Sequence, residues 1–214
     1  KKISVTESRV FISGPSGSGK ELIARKIHKG SNRSKNPFII LNGALLDINK
    51  YELELFGEEK ENGSISYGAL EKANKGTLLI DQVSEIPLDI QSKILRVLTD
   101  QKFKRVNGSN DVSVDVRLIC SSSKDLKQEI EIGNFREDLF HRINVFEINI
   151  EPLNQRISDI PLLIKYFSKK ISENYQIKEL DIDENNSYIL NHNWHGNVRE
   201  LRNLIERIAI LQPD

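Results

Sequence analysis

Methionine is absent from this 214-residue chain, and cysteine and tryptophan occur once each. One cysteine, Cys120, cannot close an internal disulfide, which points away from a disulfide-stapled secreted scaffold and toward a reducing cytoplasm. Cys120 lies in an apolar run and reads as small apolar filler rather than as a reactive thiol. With no methionine and Lys1 at the start, the expectation is an excised domain rather than a complete gene product. No apolar run approaches the length of a membrane-spanning helix, and no basic-then-apolar leader opens the chain. Net charge is also absent: Lys+Arg and Asp+Glu both number 31, so electrostatics give no argument for binding nucleic acid or membrane. The four histidines, His28, His141, His192 and His195, have no metal-ligand spacing. No internal repeat or low-complexity segment interrupts the chain. With 38% hydrophobic and 29% charged residues, the composition is that of an ordinary globular protein, long enough for one large domain or one with a small companion.

Against these absences stands the stretch 10–21, Val-Phe-Ile-Ser-Gly-Pro-Ser-Gly-Ser-Gly-Lys-Glu. Val10-Phe11-Ile12 reads as a buried strand, and Lys20 opens a helical pattern through Leu22, Ile23 and Ile27. Between them Gly14, Pro15, Ser16, Gly17, Ser18 and Gly19 form a tight turn. Strand, glycine-rich turn and helix are the context of a phosphate-binding P-loop. The glycines let successive N–H groups converge on an anion, and the helix adds its positive dipole end. Lys20 is placed to reach the β- and γ-phosphates, and Glu21 and Leu22 follow it in the candidate site. The motif usually continues Lys-Ser/Thr, so Glu21 removes the hydroxyl that ordinarily holds Mg2+. A second anchor is Asp81, which ends the apolar strand 76–81 and could hold the metal directly or through water. The plain alternatives are a turn that binds nothing and a strand-end acid that caps a neighbouring helix.

The remaining pattern alternates strands and helices. A helix from Lys20 ends near Lys29-Gly30. Residues 37–42 form a continuous apolar strand, as expected for one covered on both faces. Residues 44–56 are amphipathic and expected to be helical, and 57–68 read as an exposed loop. Residues 87–98 form a helix with Pro87 in its first turn and Ile90, Ile94, Leu95 and Leu98 on one face. Runs 103–106 and 112–114 flank Asn107-Gly108, a hairpin signal. Strands at 116–120 and 145–150 follow, and the alternation argues for a parallel sheet with helices on both faces. After Pro152 the strand signals stop, and 160–171, 184–190 and 198–211 carry helical periodicity. The expected domains are 1–150, α/β and nucleotide-binding, and 151–214, helical.

Gly14 to Glu21, Glu54-Leu55-Phe56-Gly57 and the 76–81 strand together resemble the AAA+ domain of bacterial enhancer-binding response regulators, the NtrC family. That family also writes Glu after the P-loop Lys. Asp115-Val116-Arg117-Leu118-Ile119 resembles its sensor I strand, and 135–145, Phe-Arg-Glu-Asp-Leu-Phe-His-Arg-Ile-Asn-Val, its arginine-finger segment. Residues 194–203 resemble its sensor II helix, with His195 where proline is usual. The resemblance covers nearly the whole chain, with the motifs in the family's order. It implies an AAA+ P-loop NTPase fold with a small C-terminal helical lid, ATP or ADP and Mg2+ as ligands, and a cytoplasmic homo-oligomer. It also implies a sensor histidine kinase acting on a receiver domain before Lys1, DNA read by a domain beyond Asp214, and RNA polymerase as a further partner, with no membrane. From the residues alone, Arg136 and Arg142 favour surface ion pairs with Glu137 and Asp138; the resemblance makes them arginine fingers acting in trans. It likewise implies that Arg199 reaches the phosphates from the lid and that Arg156 belongs to the hinge.

Three departures carry as much as the matches. Gln82 stands where the family has the glutamate that activates water; an amide can hydrogen-bond water but cannot take its proton. Ser123 stands at the sensor I position, where asparagine is usual. The loop 58–67 lacks the Gly-Ala-Phe-Thr-Gly-Ala sequence with which members touch sigma-54 and is shorter, a pattern that resembles the NtrX branch. The function expected from the resemblance is an ATP-binding regulator domain whose nucleotide acts as an assembly switch with weak or absent hydrolysis. The alternatives are an active ATPase that remodels sigma-54 RNA polymerase holoenzyme, and an assembly domain that has lost its nucleotide.

Overall fold

The computed structural model describes residues 2–45, 50–178, 180 and 182–211. The chain divides into two compact units, one comprising residues up to Ser13 with Lys20–Asn149, the other Gly14–Gly19 with the residues from Ile150 onward.

The first unit carries, in order, β1 (Val10–Ser13), α1 (Lys20–Lys29), β2 (Phe38–Asn42), α2 (Tyr51–Phe56), β3 (Gly57–Glu59), β4 (Ile65–Tyr67), α3 (Ala69–Lys72), β5 (Thr77–Asp81), α4 (Leu88–Asp100), β6 (Lys102–Lys104), β7 (Asp111–Ser113), β8 (Arg117–Ser122), α5 (Leu126–Glu131), α6 (Glu137–Ile143) and β9 (Phe146–Asn149). Five strands form a sheet in the order β2-β5-β8-β1-β9. Every pairing in it is parallel, so β1, β5 and β8 all end at one edge, at Ser13, Asp81 and Ser122. This is the α/β class that the alternating pattern implies. All six residues of β8 are buried, as are Val10 to Ile12 of β1 and Thr77 to Ile80 of β5, which explains the apolar runs Val10 to Ile12, Leu78 to Ile80 and Leu118 to Cys120. One core cluster joins these strands to the apolar faces of α4 and α6, through Ile90, Ile94, Leu139 and Ile143.

Three local readings need correction, and the position of β2 adds to a fourth. β2 is an edge strand, and of its five residues only Leu41 is buried. Both of its faces are nonetheless covered: Phe38 packs against the His28 ring, with centroids 5.1 Å apart, and carries the Arg25 guanidinium over its face, while Ile39 and Leu41, on the opposite face, join the main core cluster. The stretch 57–68 is a hairpin rather than a loop, with β3 antiparallel to β4. Two glycines make this closure, since a Cβ at Gly57 would lie 2.3 Å from the Ser66 carbonyl oxygen and one at Gly68 2.4 Å from the Gly57 nitrogen. The helix expected at 44–56 is a 3-10 turn, Gly43–Leu45, and then α2, with 46–49 outside the described residues. Finally, α4 begins at Leu88 with Pro87 as its cap and runs on to Asp100, where Gln101 turns left-handed at φ 53°. The Asn107-Gly108 hairpin is present as antiparallel β6 and β7, with Asn107 at φ 60°.

The second unit holds α7 (Asp159–Tyr175), α8 (Ser187–Leu190) and α9 (Asn197–Leu211). Ile160, Ile164 and Ile171 of α7 share a core with Leu201, Ile205 and Ala209 of α9 and with Leu153 and Trp194. Among the described residues no helix is long and apolar enough to cross a membrane.

Candidate functional site

In the second unit the glycine-rich loop is held by the turn that starts α9. Gly17 has φ 75°, and a Cβ there would lie 2.2 Å from the Gly196 carbonyl oxygen, so the two backbones touch where no side chain fits. Gly14, at φ 146°, approaches Ile150 in the same way, with 2.5 Å from a built Cβ to the Ile150 carbonyl oxygen. Asn197 is 2% exposed and left-handed at φ 54°. Its Nδ2 donates to the Ser16 carbonyl at 2.9 Å, and its Oδ1 accepts the Leu153 N–H at 2.8 Å. Arg199 sits in the first turn of α9; its N–H donates to the Gly17 carbonyl at 3.3 Å and its guanidinium reaches the Ser16 hydroxyl at 3.4 Å. Arg156 donates to the Ser18 carbonyl at 3.0 Å and pairs with Asp159 at 3.4 Å. The Ser18 hydroxyl is buried with no hydrogen-bond partner. A buried hydroxyl without a partner in a loop of left-handed glycines is an arrangement suited to an anion.

In the first unit Lys20 and Glu21 open α1. Lys20 is buried, Glu21 pairs with Arg25 one turn on at 2.8 Å, and Leu22 is 71% exposed. Asp81 ends β5, and its carboxylate accepts the hydroxyl of Ser121 on the neighbouring strand β8. The next residue, Gln82, is left-handed at φ 57° and ψ 53° and starts a short 3-10 turn, Val83–Glu85. Its Oε1 accepts two hydrogen bonds from Ser123, from the backbone N–H at 3.0 Å and from the hydroxyl at 2.9 Å. Two of the positions that depart from the NtrC pattern, Gln82 and Ser123, are thus bonded to each other. Cys120, one strand position before Ser121, is buried, and burial pushes its thiol up, away from thiolate chemistry.

Arg136 precedes α6 and Arg142 lies in its last turn. Arg136 caps it and pairs with Asp138 at 2.6 Å, the surface ion pair that the residues alone suggest. That hydrogen bond holds the Asp138 carboxyl below its usual range and raises the arginine. Arg142 donates to the Leu98 carbonyl at 3.1 Å. Both side chains are exposed, and their partners lie on their own unit.

Three positioning residues escape a reading of the sequence. Ser121 supports Asp81 from 40 residues away, a pairing set by strand order. Asn197 was visible only as part of the motif 194–203. Gln91 is fully buried, with Nε2 donating to the carbonyls of Ile86 at 2.7 Å and Asn134 at 3.0 Å. The available signal was spacing, since Gln91 lies three residues before Ile94 and four before Leu95 on the apolar stripe.

Comparison with known proteins gives this arrangement a family. Residues 1–149 match the family described as the sigma-54 interaction domain, and 154–214 match the AAA+ ATPase lid domain. The nitrogen assimilation regulatory protein NtrX of Azorhizobium caulinodans is 44% identical over 212 residues, covering 98% of this chain and 47% of that protein. The regulatory protein AtoC of Escherichia coli is 44% identical over 215 residues, covering 98% and 47%. The crystal structure of NtrX from Brucella abortus in complex with ADP superposes with a TM-score of 0.93 at 45% identity, covering 98% of this chain and 47% of that one. A structure of the same protein in complex with ATP gives 0.91 at 45% identity, covering 98% and 49%. The chain spans about half the length of the relatives it matches. Its parallel sheet with flanking helices is that of the AAA+ P-loop NTPases, and the chain belongs to the sigma-54 interaction domain family, in the company of NtrX and NtrC-type regulators.

Proposed function

We propose that this chain is the ATP-binding central domain of a two-component response regulator that controls transcription, with nucleotide serving as an assembly switch and hydrolysis weak or absent. The observation that carries the reading is Gln82, an amide at the position of the water-activating carboxylate, with its oxygen already taken by Ser123. Support for nucleotide binding comes from the unpartnered Ser18 hydroxyl, the left-handed glycines and a relative solved with ADP and with ATP. In this proposal residues 14–20 cradle the phosphates, Glu21 and Leu22 complete the binding segment, and Arg199 answers from the lid. The domains would be 1–150, binding nucleotide, and 151–214, acting as lid. Asp81 would hold Mg2+; among the described residues no group of three His, Cys, Asp or Glu side chains is arranged for a metal, so water and phosphate oxygens would supply most ligands. Bound Mg2+ would neutralise phosphate charge.

Arg136 and Arg142 would act on a neighbouring copy, making the domain a homo-oligomer. The kinase, the DNA and RNA polymerase would be partners of the whole regulator in the cytoplasm. The rival reading, an active motor on sigma-54 holoenzyme, is favoured by the family match over residues 1–149 and opposed by Gln82 and by a hairpin without the sigma-contacting sequence.

Calorimetry of wild type and Lys20→Ala with ATP·Mg and ADP, beside a phosphate-release assay, tests the proposal. Expected are binding by wild type, loss in Lys20→Ala, and negligible turnover. Equal affinities in the two proteins would reject the site, and brisk turnover would favour the motor.

A further inference from the structure

Gln82 is held too firmly to be a bystander. It follows Asp81 at the carboxyl end of β5, at the edge where β1 and β8 also end. In open α/β sheets ligands gather outside that edge, where the strand order reverses, and here β1 lies between β8 and β9. The backbone of Gln82 is left-handed, uncommon for a residue with a side chain. It is fixed from two sides. Its carbonyl accepts the Glu85 N–H at 3.0 Å, and a Cβ at Gly43 would lie 2.5 Å from that same oxygen.

Ser123 then fixes the side chain. A backbone N–H can only donate, so the amide atom 3.0 Å from the Ser123 nitrogen must be the oxygen. That removes the ambiguity which amide groups otherwise carry. The Ser123 hydroxyl, at 2.9 Å, adds a second donor to the same atom. The amide nitrogen, with two hydrogens, is therefore the branch turned away from Ser123. A glutamate here would present a carboxylate oxygen; this glutamine presents a donor, which repels nothing anionic.

We propose that Gln82 is a triphosphate reader: its Nε2 donates to the terminal phosphate of a bound nucleoside triphosphate, and Ser123 is the positioning residue that keeps the amide this way round. The inference rests on the nucleotide-binding reading above. A diphosphate lacks the acceptor, so the contact forms with the triphosphate alone. The substitution at position 82 thereby trades a hydrolytic group for a means of telling ATP from ADP.

The test is the ratio of affinities for the slowly hydrolysed analogue ATPγS and for ADP, each with Mg2+, measured by calorimetry on the whole chain. Gln82→Leu keeps the side chain's bulk and removes the donor. It is expected to weaken ATPγS about tenfold, as befits one hydrogen bond to a charged acceptor, with ADP affinity within about twofold of wild type. Ser123→Asp sets a carboxylate against the amide oxygen and turns the amide over, and it is expected to lower the same ratio. Ser123→Thr keeps both donors and leaves the ratio at the wild-type value. Equal weakening of both nucleotides in Gln82→Leu, or no change in either, overturns the proposal, because a merely structural latch would not distinguish them. If Gln82→Leu fails to melt cooperatively, Gln82→Glu serves instead; an unchanged ratio there overturns the proposal equally. Wild-type protein that binds neither nucleotide overturns the parent reading and this one together, whereas binding of both with an unmoved ratio overturns this one alone.

Discussion

The buried side-chain oxygen of Gln91 accepts the backbone N–H of Arg136 at 2.9 Å. Its nitrogen donates to the carbonyls of Ile86 and Asn134, so one amide on α4 holds three backbone groups. The chain is thereby pinned at the residue that caps α6 and presents the guanidinium of Arg136. Gln91→Leu would leave those groups without partners in a dry site. Each unsatisfied buried group costs about 1–3 kcal/mol, and partial relaxation brings the expected total to about 3 kcal/mol. Urea unfolding of the variant measures it. A loss under 1 kcal/mol would mean that water replaces the amide. If Arg136 acts in trans, ATP-dependent self-association by sedimentation should also weaken in Gln91→Leu, as it should in Arg142→Ala.

His28 makes stability depend on pH. The ring is buried at the end of α1, with Nδ1 3.0 Å from the Thr77 hydroxyl on β5. Burial, more than the raising effect of the Asn36 backbone or the lowering effect of Arg117, depresses its pKa below the ordinary 6.5. The unfolded chain then takes up a proton at a pH where the folded one does not. Stability from this group is complete above 6.5 and is lost as pH falls through the lower folded value. The melting temperature should therefore drop between pH 6.5 and 5, before carboxylates titrate. His28→Gln should flatten that segment of the profile, and an unchanged slope would assign it to other groups.

Arg105 ties two hairpins together. It reaches Glu59 on β3 at 2.8 Å and Glu71 on α3 at 2.6 Å, while the Glu59 N–H donates to the Val106 carbonyl at 3.0 Å. Side chains 12% exposed at both Arg105 and Glu71 make this a largely desolvated pair. Breaking one partner of a fully buried pair costs about 3–5 kcal/mol, and the partial exposure of Glu59 lowers the expectation for Arg105→Ala to about 2–3 kcal/mol. Hydrogen exchange should rise at 57–67 in the variant; exchange unchanged there would show that Gly57 and Gly68 close the hairpin alone. A hairpin so tethered, and without the sigma-contacting sequence, leads to a further expectation. In a transcription assay the full-length regulator should yield no ATP-dependent open complexes with sigma-54 holoenzyme.

What was legible in the sequence was local. Gly14, Gly17 and Gly19 between an apolar run and a helical one mark the loop, because turn chemistry and periodicity act over a few residues. Sheet position is not local. The run 37–41 carries the same apolar signal as β5 or β8, yet β2 lies at the edge, since strand order depends on which segments pair across the chain. β3 and β4 gave no alternation, because β4 is exposed throughout and the pairing rests on two glycines. Gln82 and Ser123 were each visible as departures from a family pattern. Their hydrogen bonds, across 41 residues, follow from β5 lying beside β8 and could not be read from either residue.

That pairing gives the sharpest expectation for hydrolysis. On the proposed reading, phosphate cradling, magnesium and arginines from a neighbour would stabilise charge and position groups, and Gln82 would leave all of these in place. What the amide cannot do is take a proton from water. A positioned general base contributes about 10²–10⁴-fold, so wild type should bind ATP and turn it over very slowly. Bound ATP would then persist and stabilise the domain by mass action. Gln82→Glu preserves the shape of the side chain. One carboxylate oxygen would inherit the two Ser123 donors, and the other would replace the amide nitrogen and become available as a base. Phosphate release at saturating ATP should rise at least about tenfold, since Ser123 ties up part of the carboxylate's basicity. The same change should weaken ATPγS relative to ADP, because a donor gives way to a negative charge. Wild-type turnover already equal to that of the variant would show that water is activated without a residue at position 82. A variant that binds ATP and stays inert would place the deeper defect at Ser123 or in the shortened hairpin, and Gln82→Glu combined with Ser123→Asn would then separate the two.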